Sequence, residues 1–418
     1  MTDLASRLAA ALDRELGPVD DVLAAAYPGD TGSRQPVHTV YVPADRFHRG
    51  LAARWGAEAR ELFDAHARGP SDLRECWGPA AAEVGDRVRA KLSADPVEDL
   101  RIDFEDGFGV RPDAEEDAEI DRAAEELSAD VAAGTAPPFT GIRFRSFEAA
   151  TRRRGVRTLA GFVAALCARG GVPPGFVVTL PKVTATAQVT ALVTVLEALE
   201  AEHGLPVGAL RFEIQVETPQ SVLGPDGTSP LPGMIAAGRG RCAGLHYGTY
   251  DYSAALGVAA EYQSTEHPAA DHAKAVMQVA AAGTGVRLSD GSTNVVPTGS
   301  PGEVRAAWTL HGRLVRRSLE RGFYQGWDLH PAQLPSRFAA VFAFFSGSAD
   351  GAAARLRAYR DRVDSGFLDE PATATALAGF LLRGLDCGAV DEQWVREATG
   401  TTLPDLALLA RRPAHRVR

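Results

Sequence analysis

Glu217 and Asp251 close two consecutive apolar runs, LRFEIQVE (210–217) and AGLHYGTYD (243–251). A carboxylate at the end of a buried run costs energy unless it is paired or binds something. Two of them on sequential strands can face one cation. Oxygen-only ligation with open positions suits Mg²⁺, which keeps waters and completes its shell from substrate, with Mn²⁺ as the alternative ion. Arg143, in TGIRFRS (140–146), carries a guanidinium suited to a substrate carboxylate or to negative charge forming on an oxygen. The same ends of other runs hold Glu105 and Asp106, Arg145, Lys182, Asp290 and His330, and the first run is followed by Asp45 and Arg46.

The elements that must position these groups are short β-branched runs, each followed by a helical pattern. They are VHTVYVP (37–43), LRIDFE (100–105), TGIRFRS, GFVVTLPK (175–182), LRFEIQVE, AGLHYGTYD, VRLSDG (286–291) and GWDLHP (326–331). Several are nearly continuous in apolar residues, as strands covered on both faces are. Helical patterns such as 187–204 and 301–322 end on Gly204 and Gly322, which suit C-caps. Eight such units predict an α/β fold, a (β/α)8 TIM barrel, with its chemistry at the C-terminal ends of the strands. A doubly wound sheet is the runner-up, but no Gly-x-Gly-x-x-Gly turn follows the first strand. The expected division is an N-terminal helical segment (1–36), the barrel (37–346) and a C-terminal helical extension (347–418). An insertion after strand 1 (44–99) is placed to cover one end of the barrel.

Each polar residue also has a plainer reading. A strand-end acid serves equally as a helix N-cap or an ion-pair partner. Arg143 or Arg145 can pair with Glu105 or Asp106, His330 can be a packing histidine, and Asp290 in SDGS is a turn residue by type. A Schiff base on Lys182 is set against the paired carboxylates, which a barrel aldolase of that type does not need. It is the concentration of charge at one end of nearly every strand that argues for a site.

Composition narrows the class. The net charge of −10, from 44 basic and 54 acidic residues, excludes nucleic-acid binding as the main purpose. No apolar run reaches the length of a membrane span. The four cysteines are scattered, with no C-x-x-C pair, which matches a cytoplasmic protein without a structural zinc.

Taken together, the motifs resemble those of the HpcH/HpaI aldolase and citrate lyase β-subunit superfamily, to which malate synthases are related. VHTVYVPADRF resembles the opening strand of that group, with Ala44 where a glycine is usual. IDFEDGFG is similar to its Asp-Leu-Glu-Asp segment, IRFRS to its Arg-Val-Asn-Pro strand, and LPKV matches as it stands. QVETPQS resembles the segment of the metal glutamate, AAGRGRCAGLHYGTYDYSAALG that of the second metal carboxylate, and RGFYQGWDLHPAQL the closing strand. The resemblance runs from about Val37 to about Trp394 and departs from the pattern at Arg145, at Pro219-Gln220-Ser221 and in the longer segment 223–233.

What the resemblance implies is a Mg²⁺-dependent carbon–carbon lyase or aldolase. It would act through a metal-stabilised enolate on a small 2-oxo or 3-hydroxy carboxylate, with a coenzyme A thioester as a possible substrate. Glu217 and Asp251 would hold the metal. Arg143 and Glu105 would be catalytic, and Arg143, Arg145, Lys182, Asp106 and His330 would bind substrate. GAVDE is similar to the local pattern around a catalytic acid that often comes from a neighbouring subunit, which nominates Asp391 with Asp386 as the fallback. A homo-oligomer, trimer or hexamer, is implied. The other readings are a malate-synthase-like condensation of glyoxylate with an acyl thioester, and a non-catalytic metabolite-binding barrel.

Overall fold

Eight parallel strands form one sheet: β1 (His38–Pro43), β2 (Asp99–Asp103), β3 (Phe139–Arg143), β4 (Phe176–Leu180), β5 (Arg211–Val216), β6 (Cys242–Tyr247), β7 (Arg287–Ser289) and β8 (Gly326–Asp328). Their order is β7-β6-β5-β4-β3-β2-β1-β8. A parallel bridge between Ser289 and Gln325, with the Asp290 N–H donating to the Gln325 carbonyl at 2.8 Å, brings the two edges together. The fold is the expected (β/α)8 barrel. It is seen in a computed structural model that describes residues 3–30, 32–363, 366 and 370–411, so parts of the 1–36 and 347–418 segments lie outside the described residues.

All eight expected runs are strands, but most ladders stop before the charged ends. Glu105, Asp106, Arg145, Lys182, Glu217 and Asp251 lie just beyond their strands, where the chain turns toward the next helix. The pleat explains a second difference. Successive side chains alternate between faces. Leu100, Ile102, Ile142, Val178, Ile214 and Leu245 are buried hydrophobic residues of the outward face, under the helices. Tyr41, Arg101, Asp103, Thr179, Glu213 and Gln215 occupy the other parity and meet one another inside. Barrel interiors are usually filled by branched aliphatic residues; this one is filled largely by hydrogen-bonded polar and charged groups. The runs are therefore less continuously apolar than their composition suggests.

The 44–99 insertion folds into helices Leu51–His66, Pro70–Trp77 and Gly85–Ala94. It does not close an end of the barrel. It packs outside, on helices Pro301–Glu320 and Leu334–Asp361, because its apolar faces meet theirs. Trp77 sits 5.5 Å from Trp308, ring to ring, and its Nε1 donates to the Trp308 carbonyl at 3.0 Å. Only the first helix reaches the rim of the C-terminal mouth. There Leu51, Arg54 and Trp55 border a cavity of ≈ 300 Å³ together with Tyr41, Arg46 and His330.

The boundary placed at residue 347 falls inside one continuous helix, Leu334–Asp361. Its first half packs into the main core through Phe338 and Phe342. Its second half, with Ala349 and Leu356, forms a separate core with Leu381, Val395 and Leu406 of the last helices. At the other terminus, helix Asp3–Ala26 buries none of its side chains. The strap after it is tied to the barrel by Gln35 and Arg287, which bond to the Leu288 and Ser33 carbonyls. Among the described residues no helix is long and apolar enough to cross a membrane.

Candidate active site

The inward faces of the strands form three levels, of which the upper two make the site. The lowest is an ion cluster around Glu213 on β5. Arg101 of β2 donates to it through Nε at 2.9 Å and Nη2 at 2.8 Å. Thr179 Oγ1 donates at 2.6 Å, and His246 Nε2 lies at 3.1 Å. Burial works to raise the Glu213 carboxyl, but Arg101 and His246 override it and hold the group down at about 2. A paired, fully bonded charge is the form in which a barrel floor can be ionic without collapse.

Arg143, the last residue of β3, occupies the middle level. Its Nε and Nη2 each reach Asp103 of β2 at 2.7 Å, a bidentate pair. Asp103 also accepts the backbone N–H groups of Glu105 at 3.0 Å and Gly107 at 2.9 Å. A Cβ on Gly107 would lie 2.6 Å from the Asp103 Oδ2, so a side chain there would break this seat. The guanidinium also lies over the Tyr41 ring, 4.9 Å from its centroid. Only Nη1 is left with long contacts, 3.4 Å to Gln215 Oε1 and 3.4 Å to Glu105 Oε2.

The upper level is the mouth. Lys182, after β4, has φ +50, the left-handed region that a non-glycine residue seldom adopts. That turn aims its backbone N–H at Glu217 Oε1, 2.8 Å away. Its ammonium contacts Glu105, lies 2.8 Å from Asp106 Oδ2 and 4.0 Å from Asp251 Oδ2. Glu217 is 1 % exposed and accepts a second, short hydrogen bond from Gln215 Nε2. A Cβ on Gly248 would stand 2.4 Å from the Glu217 Cβ, so the glycine after β6 is what admits this carboxylate. Asp251 sits in the first turn of helix Thr249–Ala255, its side chain half exposed.

Charge crowding sets the electrostatics. Burial, with Asp251 and Glu105 nearby, pushes the Glu217 carboxyl up to about 8 against the pull of Lys182. Burial also raises Glu105 although Arg143 and Lys182 oppose it, while Asp106, whose burial acts the same way, is held down by its bond to Lys182. Burial would lower the Lys182 ammonium, but Glu105 and Glu217 raise it well above its ordinary value. Among the described residues no three His, Cys, Asp or Glu side chains gather as a ready-made metal cage. The donor set nevertheless fits a divalent cation with open positions. Asp251 lies 4.0 Å from the Lys182 ammonium and Glu217 feels the same charge, an organic cation standing among carboxylates, while burial leaves Glu217 destabilised as an anion without more positive charge.

Five of the expected residues therefore meet Arg143 here: Glu105, Asp106, Lys182, Glu217 and Asp251. Of the other three, Arg145 and Asp391 lie elsewhere and His330 stands at the rim of the mouth. Arg145 follows the end of β3, where the chain turns outward. It bonds to the Gly109 carbonyl at 2.5 Å and Glu116 at 3.1 Å, so it holds helix Asp113–Ala133 instead of facing the mouth. The expected pairing of an arginine with Glu105 falls to Arg143, at 3.4 Å. His330 accepts the Ala332 N–H at 3.1 Å and borders the cavity beside Tyr41 and Arg46, with burial lowering its pKa. Asp391 stands at the N-terminus of helix Glu392–Thr399 in the outer layer, 65 % exposed and bonded to Arg87 at 2.6 Å. It does not meet the mouth of its own chain, because the helix that carries it packs on Leu334–Asp361. Asp386 ends helix Pro371–Asp386 in the same layer. Asp290 is no free turn residue: it is buried and accepts from Lys274 at 2.9 Å.

Asp103 and Gln215 are the neighbours that the motif pattern passed over. The signal that finds them is spacing by two: Arg101, Asp103 and Glu105 after one another, and Glu213, Gln215 and Glu217 likewise.

Solved structures share this fold. A citrate lyase from Burkholderia xenovorans LB400 matches at 19% identity with a TM-score of 0.59, covering 88% of this chain and 97% of that chain. A malate synthase from Haloferax volcanii matches at 15% identity with a TM-score of 0.51, covering 90% of this chain and 99% of that chain. The resemblance to the citrate lyase and malate synthase group is thus borne out in the fold. No curated protein sequence matches. The sequence profile that does match, over residues 16–414, places the chain in a family described as a domain of unknown function, DUF6986, and the chain belongs to that family.

Proposed function

We propose that the protein is a Mg²⁺-dependent carbon–carbon lyase of the aldolase or citrate lyase type. Its substrate would be a small 2-oxo or 3-hydroxy carboxylate, free or as a coenzyme A thioester. The observation that carries this reading is that Glu217 and Asp251 are electrostatic neighbours of each other and of the Lys182 ammonium at the C-terminal mouth, with Arg143 seated beneath. The fold supports it: the Haloferax malate synthase has also been solved as a magnesium and glyoxylate complex, at a TM-score of 0.50.

Glu217 and Asp251 would hold the metal. When bound, it would supply Lewis acidity to the reaction. Cleaving or forming a bond next to a carbonyl places negative charge on an enolate oxygen. Arg143 Nη1, the nitrogen that Asp103 leaves uncommitted, is the donor for that oxygen or for the substrate carboxylate. Asp103, Tyr41 and Glu105 keep the guanidinium from turning, so no reorganisation is needed as the charge develops. Lys182 and Asp106 would border the substrate. Glu105, a buried carboxyl with a raised pKa, is placed to hold or move a proton.

The test is calorimetric titration with pyruvate, glyoxylate and oxaloacetate, in Mg²⁺ and then in EDTA, with and without acetyl-coenzyme A. Binding of one oxo acid that EDTA abolishes supports the assignment. Release of free thiol from glyoxylate and acetyl-coenzyme A would move it to a malate-synthase-like condensation, and binding without turnover would make the barrel a metabolite-binding protein. No metal-dependent binding at all would overturn the reading.

A further inference from the structure

Gln215 lies on β5 two residues before Glu217, on the same inward face, and is 1 % exposed. Its Oε1 lies 3.4 Å from Arg143 Nη1, and its Nε2 donates to Glu217 Oε2. The other oxygen of Glu217 is held by the Lys182 N–H at 2.8 Å. The far edge of Arg143 is locked on Asp103 at 2.7 Å.

We infer that Gln215 is a positioning residue: its amide bridges Arg143 and Glu217 and fixes the plane of the Glu217 carboxylate for metal binding. This rests on the metal site proposed above. A primary amide presents an acceptor and a donor at once. Arg143 has only donors, which turns the amide oxygen toward it and leaves the Nε2–H for Glu217, an acceptor-only carboxylate once it holds the metal. Replacements that lack either half lose the bridge: methionine, of similar size, offers neither bond, and a carboxylate would accept from Arg143 while repelling Glu217. Without the Nε2–H, Glu217 keeps one tether and is free to turn about its terminal torsion, which is broad and soft. Partners of this kind, one bond removed from a metal, orient the ligand and tune its affinity.

The experiment is calorimetric titration of Mg²⁺ alone into the full chain, comparing wild type with Gln215→Met. Thr179→Val serves as an interior control that removes one hydrogen bond from the floor and none from the mouth. The expected result is a rise in the Mg²⁺ Kd of about 10- to 100-fold for Gln215→Met, with the control near wild type. Near-UV circular dichroism checks that each variant is folded. Should the methionine variant not fold, Gln215→Asn retracts the amide by one methylene and carries the same expectation. A variant Kd within about twofold of wild type, or an equal loss in the Thr179→Val control, overturns the inference while leaving the metal site standing. A wild type that binds no Mg²⁺ overturns both.

Discussion

The Lys182 ammonium stands 4.0 Å from Asp251 Oδ2 and 2.8 Å from Asp106 Oδ2 while contacting Glu105, so one side-chain cation joins the ends of β2, β4 and β6. The mouth is therefore held together by charge that a metal ion would share.

Removing that cation tests the balance. Lys182→Met is expected to lower the stability of the metal-free protein by about 1–3 kcal/mol, because the buried Glu105 loses the nearer of its two cationic partners. Thermal unfolding should show a larger gain on adding Mg²⁺ than wild type shows. An unchanged melting temperature in EDTA would mean that the contact contributes nothing.

Glu217→Gln and Asp251→Asn are expected to abolish Mg²⁺ binding by calorimetry and any Mg²⁺-dependent turnover. Full activity in either variant would remove that residue from the metal site.

The Glu217 carboxyl sits at about 8, above its ordinary 4.5. A folded-state pKa above the unfolded value adds stability that is complete below 4.5 and fades as pH rises through 8. Metal-free protein should therefore lose roughly a few kcal/mol between those limits, and Glu217→Gln should flatten the profile. Mg²⁺ must displace a proton below pH 8, so its affinity should climb over the same window. Chemical denaturation in EDTA at a series of pH values, paired with Mg²⁺ titrations, reads both.

Arg143→Lys keeps the charge but not the fork that grips Asp103. A loss of about 10²- to 10³-fold in kcat/KM is expected once a substrate is found. Near-normal kinetics would show that a point charge suffices and that the bidentate seat is not functional.

Asp391 is exposed and away from the mouth of its own chain, so Asp391→Asn should change stability by no more than about 0.5 kcal/mol and leave turnover intact. Loss of turnover that returns on mixing this variant with Glu217→Gln would show instead that the acid works in a second copy.

Strand positions and their order could be read from the sequence because β-branched runs alternate with helical patterns around the whole ring. That Glu217 and Asp251 stand at the mouth was legible because acids at the ends of apolar runs need a reason. Asp103 and Gln215 were not, since each lies inside a run and only the pleat shows that it shares a face with the acid two residues on. Arg145 misled for a related reason: spacing by two from Arg143 keeps a side chain inward only while the strand lasts, and β3 ends at Arg143. Asp391 matches the local pattern of an acid supplied by a neighbouring subunit; that it lies in the outer layer of its own chain could not be read from the sequence, because which layer a helix joins is decided by distant packing. The 44–99 insertion shows the same limit, because an amphipathic helix announces a buried face without saying what covers it.

Helix Leu334–Asp361 belongs to two cores at once. Neither can be dismantled without fraying a helix that the other needs, so the barrel and the C-terminal helices should melt as one calorimetric transition. A chain shortened to its first 346 residues would end partway along that helix and strip its cover, leaving a barrel more easily attacked by proteases than the intact protein.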